Sequence, residues 1–265
     1  MFGKTLKMEL VRAFRPSKVI LVAVLNAMLL FFSNFEVLAQ MFQYGYDDTI
    51  GSVEQLIILM GFDTFKCVMV VLLAGLYTSS FCKDDNTHYL RMIIARTDVT
   101  TYTQCRFIAN LLVVVATSIV SLYVFILLMS PWKPLVADDV AMNSSYYYKT
   151  IVANYPILYV GMTGLVFGLV TTACSSLGML YSAYKKNSFV SIAISGLIFY
   201  MALSYISYDS PFNVLLIVNM SSTLGREIPK SFMFLWANVY MIYVIGICGF
   251  LFWKRMKWRA ENGFV

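Results

Sequence analysis

Six apolar runs, at residues 19–35, 56–81, 107–129, 155–180, 189–206 and 232–253, fill most of this 265-residue chain. Each is near the ~20 residues that a helix needs to cross the hydrocarbon core of a bilayer. The composition agrees: 60% of residues are apolar and only 13% are charged, where a soluble domain carries roughly a quarter. The expected fold is therefore an all-α membrane protein with six transmembrane helices, forming a single polytopic domain over residues 1–265. The loops leave no space for a soluble catalytic domain of ordinary size, ~100 residues or more.

The net charge of +6 is a topology signal and not a nucleic-acid one. With the N-terminus placed in the cytoplasm, the inner segments hold Lys4, Lys7, Arg12, Arg15, Lys18, Lys83, Arg91, Arg96, Arg106, Lys185, Lys186, Lys254, Arg255, Lys257 and Arg259. Of the 20 basic residues, only Lys66, Lys133, Lys149, Arg226 and Lys230 fall elsewhere. Glu36, Asp47, Asp48, Glu54, Asp138, Asp139, Asp209 and Glu227 lie on the other side. An excess of Lys and Arg in short loops marks the cytoplasmic face. Six spans with both termini inside satisfy it, which predicts a multi-pass protein of a plasma (inner) membrane.

Residues 1–16 are expected to form an amphipathic surface helix and not a cleaved leader. Phe2, Leu6, Leu10 and Phe14 make one slowly drifting stripe, and Lys4, Lys7, Arg12 and Arg15 take the other side, an arrangement suited to the headgroup region. Pro16 is expected to stop this helix and Ser17 to cap the first span. The second run carries Asp63 and Lys66, three residues apart on one helix face. Spacing of this kind lets opposite charges meet and lowers the cost, roughly 2.5–3.5 kcal/mol each, of charges in a bilayer. The pair reads as a self-neutralised one near the outer end of the span, or as a polar wall of a pathway. Gly164 and Gly168 form a close-packing motif, read as packing within one subunit, and Pro156 suits the first turn of the fourth span. Between spans five and six, residues 211–219 are apolar but too short to cross, which predicts an outer re-entrant or interfacial helix.

The longest inner loop, residues 82–106, contains a short amphipathic segment. Leu90, Ile93 and Ile94 recur at helical spacing, flanked by Arg91 and Arg96, with Asn86 or Thr87 available to cap the start and Asp98 to cap a following turn. Catalytic signatures are missing. The single His88 has no partner for an HExxH-type zinc site. No GxSxG elbow supports a nucleophile. Gly3-Lys4-Thr5 is not a P-loop, since the first glycine of that motif would precede residue 1. No catalytic residue, no metal site and no cofactor are expected in this chain. The five cysteines lie in spans or at their inner ends, so neither a disulfide framework nor a zinc site is expected.

The order of these parts resembles the permease (transmembrane) subunit of a type-2 ABC exporter: an N-terminal surface helix, six spans, a short helix in the loop between spans two and three, and an outer re-entrant piece before span six. The local pattern is similar too. Asp84 or Asp85 follows span two, Asn86-Thr87 leads the segment, residues 90–95 form its body, and Arg106 opens span three. Asn86 stands where the family has Gly, and Thr97-Asp98 replaces its usual Pro. The resemblance implies a second permease subunit and a separate ATP-binding cassette ATPase that supplies ATP and Mg chemistry. Thr87, Tyr89, Leu90, Arg91, Met92, Ile93 and Arg96 would form the ATPase-coupling helix. It further implies outward movement of an amphipathic peptide, antimicrobial or lipid-like substrate, in a bacterial membrane. Two other classes fit the composition: a self-contained channel or secondary carrier using Asp63 and Lys66, and a non-transporting membrane scaffold.

Overall fold

The computed structural model describes residues 2–35, 39, 50–62, 65–87, 89–137, 147, 151–207, 210–220 and 230–263. Among these, all regular structure is helical: α1 (Phe2–Ala13), α2 (Pro16–Ser33), α3 (Ser52–Phe62), α4 (Lys66–Gly75), α5 (Ser80–Asn86), α6 (Tyr89–Arg96), α7 (Val99–Met129), α8 (Pro156–Ser182), α9 (Ser188–Tyr205), α10 (Val214–Asn219), a 3-10 turn (Lys230–Phe232) and α11 (Met233–Glu261). Six helical stretches are long and apolar enough to cross a membrane: α2, residues 66–86 taken together, α7, α8, α9 and α11. The chain is thus built as a multi-pass membrane protein.

The central pole is α8, the most buried of the six, with α7, α9 and α11 packed along it and α4 beside it. Its glycines explain the closeness. A Cβ on Gly164 would lie 2.9 Å from the Ile119 Cα, and one on Gly168 would lie 2.8 Å from the Val115 Cα, both backbone atoms of α7. In a lipid environment this approach gains van der Waals contact that larger side chains would block. Ser118 adds a hydrogen bond of 2.9 Å to the Gly164 carbonyl, and Asn110 one of 2.8 Å to Ser175. The glycine motif is used inside one subunit, as its reading from sequence had it.

Four boundaries differ from those expected. The second apolar run is not one helix: α3 ends at Phe62 and α4 begins at Lys66. The buried Lys66 ammonium donates to the Met60 carbonyl at 2.5 Å, one of the last-turn carbonyls that a helix cannot pair by itself. Asp63 lies outside the described residues. Pro16 does not merely stop α1 but opens α2, where its missing N–H costs nothing and its φ suits a helix; Ser17 is not the cap. Pro156 likewise opens α8. Most of residues 82–106 is helical and not loop, because Asp98 caps α7 by accepting from the Thr100 N–H at 3.3 Å, which starts that helix two turns earlier than residue 107. The short apolar piece before α11 condenses to the six residues of α10. Asn213 caps it by accepting from the Leu215 N–H at 2.9 Å, and donates to the Ile206 carbonyl at 2.9 Å. α10 packs on α3 and α8.

Candidate functional site

At one end of the bundle α1, α5, α6, the start of α7, the α8–α9 turn and the end of α11 meet. The chain doubles back sharply there. Thr87 closes α5 with its hydroxyl on the Lys83 carbonyl at 2.8 Å, and Thr97 closes α6 in the same way on the Ile93 carbonyl at 2.8 Å. Between these two stops α6 is only eight residues long. Leu90 and Ile93 are buried and seat it against the protein, whereas Tyr89, Arg91, Met92 and Arg96 are exposed. Tyr89, Met92 and Arg96 share one face at helical spacing. Opposite them, across a groove of about 440 Å³, stand Lys4, Thr5 and Met8 of α1. The groove is therefore apolar at its base and cationic at its rim.

Behind α6 lies a cluster of charges centred on two adjacent carboxylates at the end of α5. Asp84 is buried and accepts from Arg12 of α1 at 2.7 Å and from Arg106 of α7. Asp85, also buried, accepts from Arg259 of α11 at 2.8 Å and pairs with Lys186 of the α8–α9 turn at 3.2 Å. Arg106 is fully buried and donates to Ser80 at 3.1 Å. Its guanidinium lies 4.8 Å from the Tyr102 ring centroid and 5.8 Å from those of Tyr77 and Phe81, positions where aromatic faces attract a cation. The bond that Arg12 donates to Asp84 raises the guanidinium pKa above its ordinary value, against the opposing effect of burial. Two carboxylates thereby tie together four basic groups from four other segments. Buried charges persist only when paired and hydrogen-bonded, so these segments are held in one arrangement or must exchange the whole set for another.

A second contact fixes α1. Its buried face is Thr5, Glu9 and Ala13, and Glu9 accepts from the Tyr77 hydroxyl. The predicted stripe of Phe2, Leu6, Leu10 and Phe14 sits beside that face. Phe2 and Phe14 are exposed and Leu6 and Leu10 half-buried, leaving a greasy edge directed outward.

Of the residues expected to form a short coupling element, Tyr89, Leu90, Arg91, Met92, Ile93 and Arg96 lie on α6, whereas Thr87, considered as a possible start cap for α6, ends the preceding helix. Leu90 and Ile93 serve the packing of α6, and its free surface is Tyr89, Arg91, Met92 and Arg96. Lys66 lies far along the chain from this cluster, at the break between α3 and α4. Glu9, Tyr77, Lys186 and Arg259 were not singled out from sequence. The one signal for Glu9 was its being the sole acid among the first eighteen residues. Among the described residues no group of three His, Cys, Asp or Glu side chains is placed to hold a metal ion. Comparison of the chain with protein families, with curated proteins and with solved structures finds no match.

Proposed function

We propose that the chain is the permease subunit of an ATP-driven exporter of the type-2 ABC kind, working with a second permease subunit and with a separate ATP-binding cassette ATPase that binds ATP and Mg. The observation that carries this reading is the position of α6. It is an exposed eight-residue rod whose base adjoins the Asp84–Asp85 cluster, so a push on it is passed through charge-assisted bonds to α1, α7, α11 and the α8–α9 turn together. A rod on a rigid hub is what transmits a partner's closure into a helical bundle, since packed cores shift between discrete arrangements and do not deform smoothly. The groove between α1 and α6, with Tyr89, Met92 and Arg96 against Lys4 and Met8, would receive an apolar ridge of the ATPase bearing acidic groups. In this reading the basic end is cytoplasmic, α1 lies at the membrane surface, α10 is the outer re-entrant helix, and an amphipathic peptide, antimicrobial or lipid-like cargo moves outward.

Affinity purification of the tagged chain from its own membranes tests it. A stoichiometric ATPase is expected, and exchanging Met92 for Asp should release it. Full-speed transport by vesicles containing this chain alone would overturn the proposal.

A second reading has an observation of its own. The second apolar segment is broken beside the buried Lys66, and broken helices with intramembrane charges line ion paths in channels and carriers. That reading predicts solute flux without ATP, abolished by Lys66→Met.

A further inference from the structure

A small concavity lies where α1 turns into α2, against the α4–α5 junction. Its volume is about 110 Å³, and its walls include Arg12, Arg15, Lys18 and Lys83, with Tyr77 and Ser79 at the back. Arg15, Lys18 and Lys83 are exposed at its mouth. The acids nearest the site are already committed: Asp84 takes Arg12 and Arg106, and Glu9 takes the Tyr77 hydroxyl. Four cations from two separate stretches of chain therefore face one space with a surplus of positive charge. Like charges gathered in this way repel unless an anion joins them. No side chain caps the first turn of α2, which begins beside the concavity. Pro16 begins a helix of spanning length, so in a bilayer that this helix crosses the concavity would lie at its end, near the headgroups.

We infer that this concavity is a binding site for a phosphate group, supplied by the headgroup of an anionic phospholipid. The volume suits a phosphodiester and is well below the roughly 300–1,000 Å³ of pockets that enclose whole small molecules. Basic pockets between membrane helices recognise lipid headgroups by this chemistry. Arg15 and Lys18 would clamp the phosphate from the α1–α2 side and Lys83 from the α5 side. The inference needs a membrane around the chain but no ATPase, so it survives or fails independently of the coupling proposal.

The test is native mass spectrometry of the full chain released from detergent, titrated with phosphatidylglycerol, with phosphatidylcholine and with inorganic phosphate. Phosphatidylglycerol should give a first adduct well before phosphatidylcholine does. Arg15→Gln, Lys18→Gln and Lys83→Gln should each weaken that adduct about fivefold. A control pair, Lys254→Gln with Lys257→Gln, removes twice that basic charge from the end of α11 and should leave it unchanged. If inorganic phosphate displaces the lipid at millimolar levels, the phosphate chemistry holds and a free anion is the ligand. Equal binding of the two lipids, or equal loss from the control pair, overturns the site.

Discussion

Replacing Asp84 by Asn removes one charge from the hub and leaves its shape nearly intact. Two bonds are affected unequally. The Arg12 side chain is 29% exposed, so its share is that of a partly solvated pair, about 0–1 kcal/mol. Arg106 is fully buried, and losing the partner of a buried charge costs about 3–5 kcal/mol. Ser80 and the three rings around the guanidinium remain, which sets the expected loss near the lower bound, about 3 kcal/mol. In a chain of this size that lowers the unfolding midpoint by roughly 6–12 °C. Cys82, Cys105, Cys174 and Cys248 are buried free thiols, so a thiol-reactive dye reads the transition directly in detergent. Arg106→Met leaves Asp84 with Arg12 and should cost less than Asp84→Asn. The double variant removes both buried charges and should recover part of the loss, with a coupling of about 2 kcal/mol. A midpoint shift under ~2 °C for Asp84→Asn, or strictly additive single effects, would mean that this pair does not hold the segments together.

Other perturbations separate packing from contact. Met92→Asp and Arg96→Glu alter exposed positions and should move stability by less than about 0.5 kcal/mol, while abolishing ATPase capture in a pull-down. Leu90→Asp should instead unseat α6, seen as faster proteolysis between α5 and α7 in the isolated chain. Gly168→Leu would force a side chain into the α7 backbone near Val115 and should cost about 1–3 kcal/mol in the same dye assay, whereas Gly246→Ala, with nothing within 4 Å of the added carbon, should be neutral or slightly stabilising. Tyr77→Phe deletes the hydroxyl that Glu9 accepts and should free α1, detected as labelling of a cysteine placed at Thr5.

The spans were legible because an apolar run of bilayer length has few other fates, and the glycine spacing on α8 was legible because small residues mean close backbones. The division of labour on α6 was only half legible. Periodicity grouped Leu90 with Ile93, but it did not say whether that face turned toward the bundle or toward a partner, since both destinations reward apolar residues. The α1 face was misleading for a related reason. Its most apolar stripe is not its most buried one, because a buried carboxylate needs a donor and Glu9 finds it in Tyr77, which turns the face of Thr5, Glu9 and Ala13 inward. The break before Lys66 was hidden because Asp63 and Lys66, at helical spacing within a long apolar run, read as a pair on one continuous helix. The long-range pairs of Asp85 with Arg259 and Lys186 join segments too far apart in sequence for any local pattern to connect.

The same hub constrains how motion can travel. Trp253 of α11 donates to the Thr100 hydroxyl at 3.1 Å, just after the Asp98 cap that starts α7. Arg259 is fastened to Asp85, so α11 is tied at two points to the segments flanking α6. A displacement of α6 therefore cannot tilt α7 without carrying α11, and α8 lies packed between them. By contrast α9 meets this end through the neutral contact of Ser191 with Cys82, 3.7 Å apart, and through the turn bearing Lys186, whose bond to Asp85 is long and half exposed. The seam with the fewest charge-assisted ties is the one that α9 makes with its neighbours α4 and α8, although it packs along both. If α6 is the point of input, opening occurs along that seam. A cross-link between cysteines placed at Gly196 on α9 and Val71 on α4, which touch across it, should block turnover, while one between α7 and α11 at Phe107 and Gly249 should not. Equal inhibition by both cross-links would refute a rigid three-helix block.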